Sequence, residues 1–146
     1  MNYVLVFVIV MCDQFTKYLA QTKLSTLISI PIIKNVFHLT YVRNVGAAFG
    51  IMQHKQLFFI VMTIVVITGI VGFSFKYKNM HKVVFYSLSL IVGGAIGNFI
   101  DRVRVGYVID FFDFRIWPVF NIADISIVIG ALLLAYYLIK IDTVNE

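Results

Sequence analysis

Leu57–Phe75 is a run of nineteen residues without a charge. A segment that long and apolar is suited to crossing ~30 Å of hydrocarbon as a helix, which takes ~20 residues. Three more runs approach that length. Asn2–Ala20 is almost wholly apolar in its first half, with Asp13, Gln14 and Lys17 in its second. Val83–Ile100 is glycine-rich and ends beside Asn98, and Asn121–Ile139 opens on Asn121 and Asp124. Composition agrees: 61% of residues are hydrophobic and 13% charged, against about half and a quarter in soluble domains. In lipid every backbone polar group needs an internal partner, which leaves helices or closed barrels. The sequence therefore predicts an all-α integral membrane protein with four transmembrane helices.

The rest of the chain adds detail. The net charge is +5, but the basic residues are scattered and no stretch could track a nucleic-acid backbone. Attraction to anionic lipid headgroups is the milder reading. The N-terminal run lacks a basic leader and a small residue before a cleavage point, so it is expected to be a retained span. Cys12, the single cysteine, has no partner for a disulfide and is expected to serve as a small packing residue. In the long Thr22–Gln56 connection, Phe37, Leu39 and Tyr41 alternate with His38, Thr40 and Val42. That period of two predicts a strand at the membrane surface. His38 and His54 show no ligand spacing, so no metal or other cofactor is expected.

Parity places the function. Four spans put Thr22–Gln56 and Arg102–Val119 on one membrane face. Asp13, Lys17, Asn98, Asp101 and Asp124 all fall in the span halves or ends nearest that face. The convergence holds whichever way the chain is inserted. Orientation is open at this level. The converging face carries Lys23, Lys34, Arg43, Lys55, Arg102, Arg104 and Arg115, and the other carries Lys76, Lys78, Lys82 and Lys140. A raw positive-inside count puts the first face in the cytoplasm. That rule loses force if arginines such as Arg43 and Arg102 are folded into a site.

Among the polar residues, Asp13 and Lys17 share a helix face at i and i+4 and can pair. Gly93 and Gly97 have the spacing that lets helices approach closely. Asp101, next to Arg102 and near Arg104, is expected to stay ionised and to organise rather than react. Asp113 is expected to form a solvated pair with Arg115. Asp110 and Asp124 stand apart. They lie fourteen residues apart, each among apolar neighbours. Desolvation raises a carboxyl pKa, and two close carboxylates resist ionising together. One would hold a proton while the other acts as base, as in aspartic proteases. Asn121, three residues before Asp124, could orient it or cap the helix; alternatively, Asp124 is only a carboxylate favoured by a helix N-terminus. Spacing alone leaves both readings open.

Five blocks carry a family resemblance: Asp13-Gln14-Phe15-Thr16-Lys17; Asn44-Val45-Gly46-Ala47-Ala48-Phe49; Gly93-Gly94-Ala95-Ile96-Gly97-Asn98-Phe99-Ile100-Asp101-Arg102; Gly106-Tyr107-Val108-Ile109-Asp110-Phe111; and Phe120-Asn121-Ile122-Ala123-Asp124. In this order and spacing the chain resembles the bacterial lipoprotein signal peptidases (signal peptidase II). The resemblance implies a single membrane-embedded peptidase domain over residues 1–146, with both termini cytoplasmic and a small extracytoplasmic β-cradle. The site would lie at the outer face of the cytoplasmic membrane and cut a diacylglyceryl-modified prolipoprotein just before its lipidated cysteine. Asp110 and Asp124 would form the catalytic dyad. Asn44, Gly46, Asn98, Asp101, Arg102, Asn121 and Ala123 would shape the site, and Asp13 and Lys17 would support it. Membrane lipid, globomycin-type cyclic peptides as inhibitors and a monomeric state are implied as well. The immediate start of the first span, without a basic leader, departs from the family pattern. The rival from another class is a small transporter or channel subunit, since intramembrane charges and glycines occur there too.

Overall fold

The computed structural model describes residues 1–27, 29–46 and 55–145. The Ala47–Phe49 part of the second block and His54 lie outside the described residues. Among the described residues four helices are apolar and long enough to cross a membrane: α1 (Tyr3–Leu24), α2 (Gln56–Lys76), α3 (Lys82–Val105) and α4 (Ile122–Asn145). At 1.5 Å per residue each spans about 30 Å or more. Exposed Phe7, Phe15, Val65, Leu132 and their neighbours turn apolar side chains outward, as a lipid-facing surface requires. α3 is the central element, with α4, α1 and α2 packed on it.

Three helices outrun the spans read from hydropathy. α1 continues to Leu24 and α4 to Asn145, while α3 continues through Asp101–Val105. The hydrogen-bond ladder does not stop where apolarity does. α3 ends only at Gly106, whose φ of 79° is left-handed, a geometry that needs no Cβ. Asn121, assigned by hydropathy to the fourth span, instead precedes the first turn of α4. Cys12 is exposed rather than packed inside the bundle.

The expected strand is β2 (Phe37–Asn44), the middle of a three-stranded antiparallel sheet with β1 (Ser29–Ile33) and β3 (Val108–Asp113). Alternation could not reveal β1 and β3. β1 is a five-residue edge strand containing Pro31, and Pro is tolerated at such an edge. β3 is buried on both faces and so lacks a polar side. Ile109 and Phe111 pack with Ala20 and Leu24 of α1, and Leu39 and Tyr41 join them. This small core fastens the sheet to the C-terminal end of α1.

The GxxxG spacing works as packing. A Cβ on Gly93 would meet Ile9 at 3.0 Å, and one on Gly97 would meet Asp13 Oδ2 at 2.5 Å. Gly94 faces the Ala123 carbonyl so closely that a Cβ could not fit. Glycine therefore lets α3 approach α1 and α4 where the polar residues converge.

Candidate active site

The convergence begins with a buried ion cluster. Lys17 Nζ lies 2.9 Å from Asp13 Oδ2 and 3.0 Å from Asp101 Oδ2, and all three side chains are fully buried. One ammonium between two carboxylates in a dry interior is tolerable only if the remaining lone pairs are met, and they are. Asp13 Oδ1 accepts from the Ala123 backbone at 2.9 Å, and Asp101 Oδ2 from the Ile109 backbone at 3.1 Å. Gln14 Nε2 donates to Asp101 Oδ1 at 3.0 Å and to the Gly97 carbonyl at 3.1 Å. The expected Asp13–Lys17 pair is present. The expected partner of Asp101 is not: its cation is Lys17, while Arg102 turns away and lies 4.9 Å over the Phe59 ring of α2. Adjacency in sequence misleads here, because consecutive helical residues point to different faces.

From this cluster a hydrogen-bonded chain runs to the two isolated aspartates. Lys17 donates to Asn98 Oδ1 at 2.8 Å, and Asn98 Nδ2 donates to Asp124 Oδ1 at 2.7 Å. Asn121 is the hub. Its Nδ2 donates to Asp110 Oδ1 at 2.6 Å and to Asn98 Oδ1 at 3.1 Å. It also caps α4: Asp124 N donates to Asn121 Oδ1 at 2.9 Å, and Asn121 N donates to Asp124 Oδ2 at 3.2 Å. This reciprocal arrangement satisfies backbone donors that a helix start leaves free. Orienting Asp124 and capping the helix, offered by the sequence as alternatives for Asn121, are both served by this reciprocal pair of hydrogen bonds.

Asp110 is reached from the sheet. In the β2–β3 register Asn44 stands opposite Val108, which puts Asn44 diagonally beside Asp110 on one sheet face. Asn44 Nδ2 donates to Asp110 Oδ2 at 2.9 Å, and the Gly46 N–H holds the other end of the Asn44 amide at 3.0 Å. Asp110 is only 2% exposed. Burial first, and then the charge of Asp124, push its pKa up to about 7, against the donors Asn44 and Asn121. Asp124 is less buried.

The chain between the two aspartates folds back on β3. Phe111 and Phe112 N–H donate to the Phe120 carbonyl at 3.0 and 2.8 Å, and Phe120 N–H returns to Phe112 at 3.1 Å. At the far side, Arg115 adopts a left-handed φ of 66° and its N–H donates to Asp113 Oδ1 at 2.8 Å. The Asp113–Arg115 pair forms at 3.0 Å, but Asp113 is buried rather than solvated. Burial works against its ionisation. Thr40 and the Arg115 backbone and guanidinium outweigh that and hold it below the usual carboxylate range.

Asp110 and Asp124 open onto one cavity of about 400 Å³, shared with Asn44, Gly46, Asn98 and Arg102. Thr63 of α2 and Trp117 of the returning loop also line it. The Arg102 guanidinium interacts electrostatically with Asp124, Asp110 and Asp101. A mostly apolar cleft with two convergent carboxylates, one carrying a strongly raised pKa, has the character of a catalytic pocket.

A family profile described as Signal peptidase (SPase) II matches residues 5–140. The chain belongs to the signal peptidase II family. It is a membrane-embedded peptidase, and among its relatives is the lipoprotein signal peptidase of Halothermothrix orenii, 51% identical over 146 residues and covering all of both chains. That of Caldanaerobacter subterraneus is 55% identical over 141 residues, 95% of this chain and 96% of the other. A solved bacterial membrane enzyme, determined by the in meso method at 2.3 Å, superposes with a TM-score of 0.89. It is 39% identical, over 99% of this chain and 90% of that one.

For this peptidase, the structure gathers Asp110, Asp124, Asn44, Gly46, Asn98 and Arg102 at the cavity, with Asn121 bridging both aspartates. Asp13, Lys17, Asp101 and Ala123 lie behind them as the clamp. Arg43 does not enter the cavity; it lies 5.7 and 5.3 Å over the Tyr41 and Tyr107 rings. Sequence reasoning assigned no role to Gln14, Thr63 or Trp117. Gln14 carried a usable signal, a polar residue beside Asp13 in an apolar run. Thr63 carried none.

Proposed function

We propose that this peptidase removes signal peptides from diacylglyceryl-modified prolipoproteins, cutting just before the lipidated cysteine with water activated by Asp110 and Asp124. The observation that carries this reading is the asymmetric dyad: two carboxylates on one cavity, both held by Asn121, one nearly inaccessible and the other partly open. Asp110 is the proton-bearing member. Asp124, held by the donors Asn98 and Asn121, takes the proton of a water lying between the two carboxyls. The water attacks the scissile carbonyl, Asp110 hydrogen-bonds the developing oxyanion, and the proton gained by Asp124 passes to the leaving amine. The apolar wall of Ile127, Val128 and Pro118 keeps bulk water from diluting these charges.

The reading extends to topology: the site faces the extracytoplasmic side and both termini face the cytoplasm. The charge count no longer opposes this. Arg102 lines the cavity, Arg115 pairs with Asp113 and Arg43 stacks on tyrosines. Setting these aside leaves four basic residues of the earlier count on each face. Globomycin-type cyclic peptides would occupy the same cavity, and the protein would act as a monomer surrounded by lipid.

The deciding experiment mixes purified protein with a diacylated prolipoprotein and follows the mass shift on a gel. The native chain cleaves it, whereas Asp110→Asn and Asp124→Asn are inactive yet still insert and fold. Near-normal turnover by either variant would overturn the dyad assignment. Absence of cleavage by the native chain in a lipid environment would overturn the substrate.

A further inference from the structure

A second cavity, of about 820 Å³, lies at the opposite end of the bundle from the carboxylates. It exists because α2 packs chiefly on α3, so its last turn stands off from α4. The floor is apolar, with Phe73 from α2, Leu88 from α3 and Leu134 and Leu138 from α4. The mouth is basic, with Lys76, Lys78 and His81, and among the described side chains no acidic residue lines the cavity. Lys76 and Lys78 are exposed. The His81 ring stacks on Tyr137 of α4 at 4.5 Å, which pins the loop across the gap. The basic groups stand where α2 ends and α3 begins, at the ends of two helices long and apolar enough to cross a membrane.

We infer that this cavity is a binding site for an anionic phospholipid, with its phosphate between Lys76, Lys78 and His81 and an acyl chain along Leu88, Leu134 and Leu138. An apolar slot beneath a cationic rim suits a molecule that is itself a charged head on a hydrocarbon tail. A zwitterionic lipid offers the same tail and phosphate, but its headgroup cation is repelled by the basic rim and cancels the net attraction. A free phosphate satisfies the rim alone. The site is separate from the peptidase cavity and shares no lining residue with it. The inference holds for either orientation of the chain.

Native mass spectrometry of the full chain, released from nanodiscs of phosphatidylglycerol or of phosphatidylcholine with matched acyl chains, tests the site. The native protein should retain phosphatidylglycerol in preference to phosphatidylcholine. Lys76→Gln/Lys78→Gln should lower that retention about thirty-fold, as expected for two lysines near an anionic headgroup. Lys23→Gln/Lys34→Gln, which removes the same charge from the other end, should leave it unchanged. Leu134→Trp, which fills the floor without touching the rim, should lower it too. Equal retention of the two lipids, or equal losses in the two lysine pairs, would overturn the inference. So would a dimer that disappears with Lys76→Gln/Lys78→Gln while lipid retention stays constant. Prolipoprotein cleavage in zwitterionic detergent should be unaffected by Lys76→Gln/Lys78→Gln, which separates this test from that of the dyad.

Discussion

Asp110 and Asp124 carry the same side chain into different surroundings, and the difference sets what each can do. Burial and the neighbouring carboxylate push Asp110 up to about 7. Its proton is held by the folded chain but lost from the unfolded chain above about pH 4. Folding stability therefore falls as pH rises from about 4 to about 7 and stays low above that. Asp110→Asn is expected to flatten this stretch of a Tm-against-pH curve. With Asp110 as the proposed proton-bearing member, kcat/KM is expected to fall above about pH 7, and a pH–rate profile measures the limb directly. Asn98 is the second test at this scale. It passes the field of Lys17 to Asp124 through hydrogen bonds of 2.8 and 2.7 Å. Asn98→Ala should lower kcat roughly 10- to 100-fold, the worth of a hydrogen bond to a charged group, with a smaller change in KM. The residue types were readable from the sequence, because an aspartate among aromatic neighbours and without a basic partner is conspicuous. The partners were not. Asp101 looked like the companion of Arg102, and only helix phase and packing show that Lys17 holds it.

Elements meet at the charged clamp. Asp13 of α1 receives the Ala123 backbone N–H from the first turn of α4, while Asp101 of α3 receives the Ile109 N–H of β3. Lys17 joins the two acids, so one ammonium connects four elements. Lys17→Met is expected to cost about 3–5 kcal/mol, because it strands two buried carboxylates; thermal unfolding in detergent measures it. Gly97→Ala places a methyl 2.5 Å from Asp13 Oδ2 and is expected to cost about 1–3 kcal/mol by overpacking. The four helices were legible because length and apolarity suffice to define them. Their ends were not, since capping residues rather than hydropathy stop a helix. β2 was legible by its alternation. β3 was hidden because both of its faces are buried, and the fold-back of Phe120 onto Phe112 leaves no trace in composition.

At the scale of the whole molecule, span parity alone brought every unusual polar residue to one end, and the buried network lies there. Parity cannot distinguish inside from outside. A reporter fused after Lys78 should behave as cytoplasmic, and an impermeant label reaching that loop from outside would reverse the orientation. The helices also differ in how firmly they are held. α2 buries none of its residues and rests chiefly on α3, yet its Thr63 forms part of the cavity wall and Phe59 lies beneath Arg102. A wall helix so lightly held by the protein leaves its position to the acyl chains around it, so the gap available to a substrate is expected to vary with bilayer thickness and lateral tension, which cleavage rates in nanodiscs of thin and thick lipids would measure.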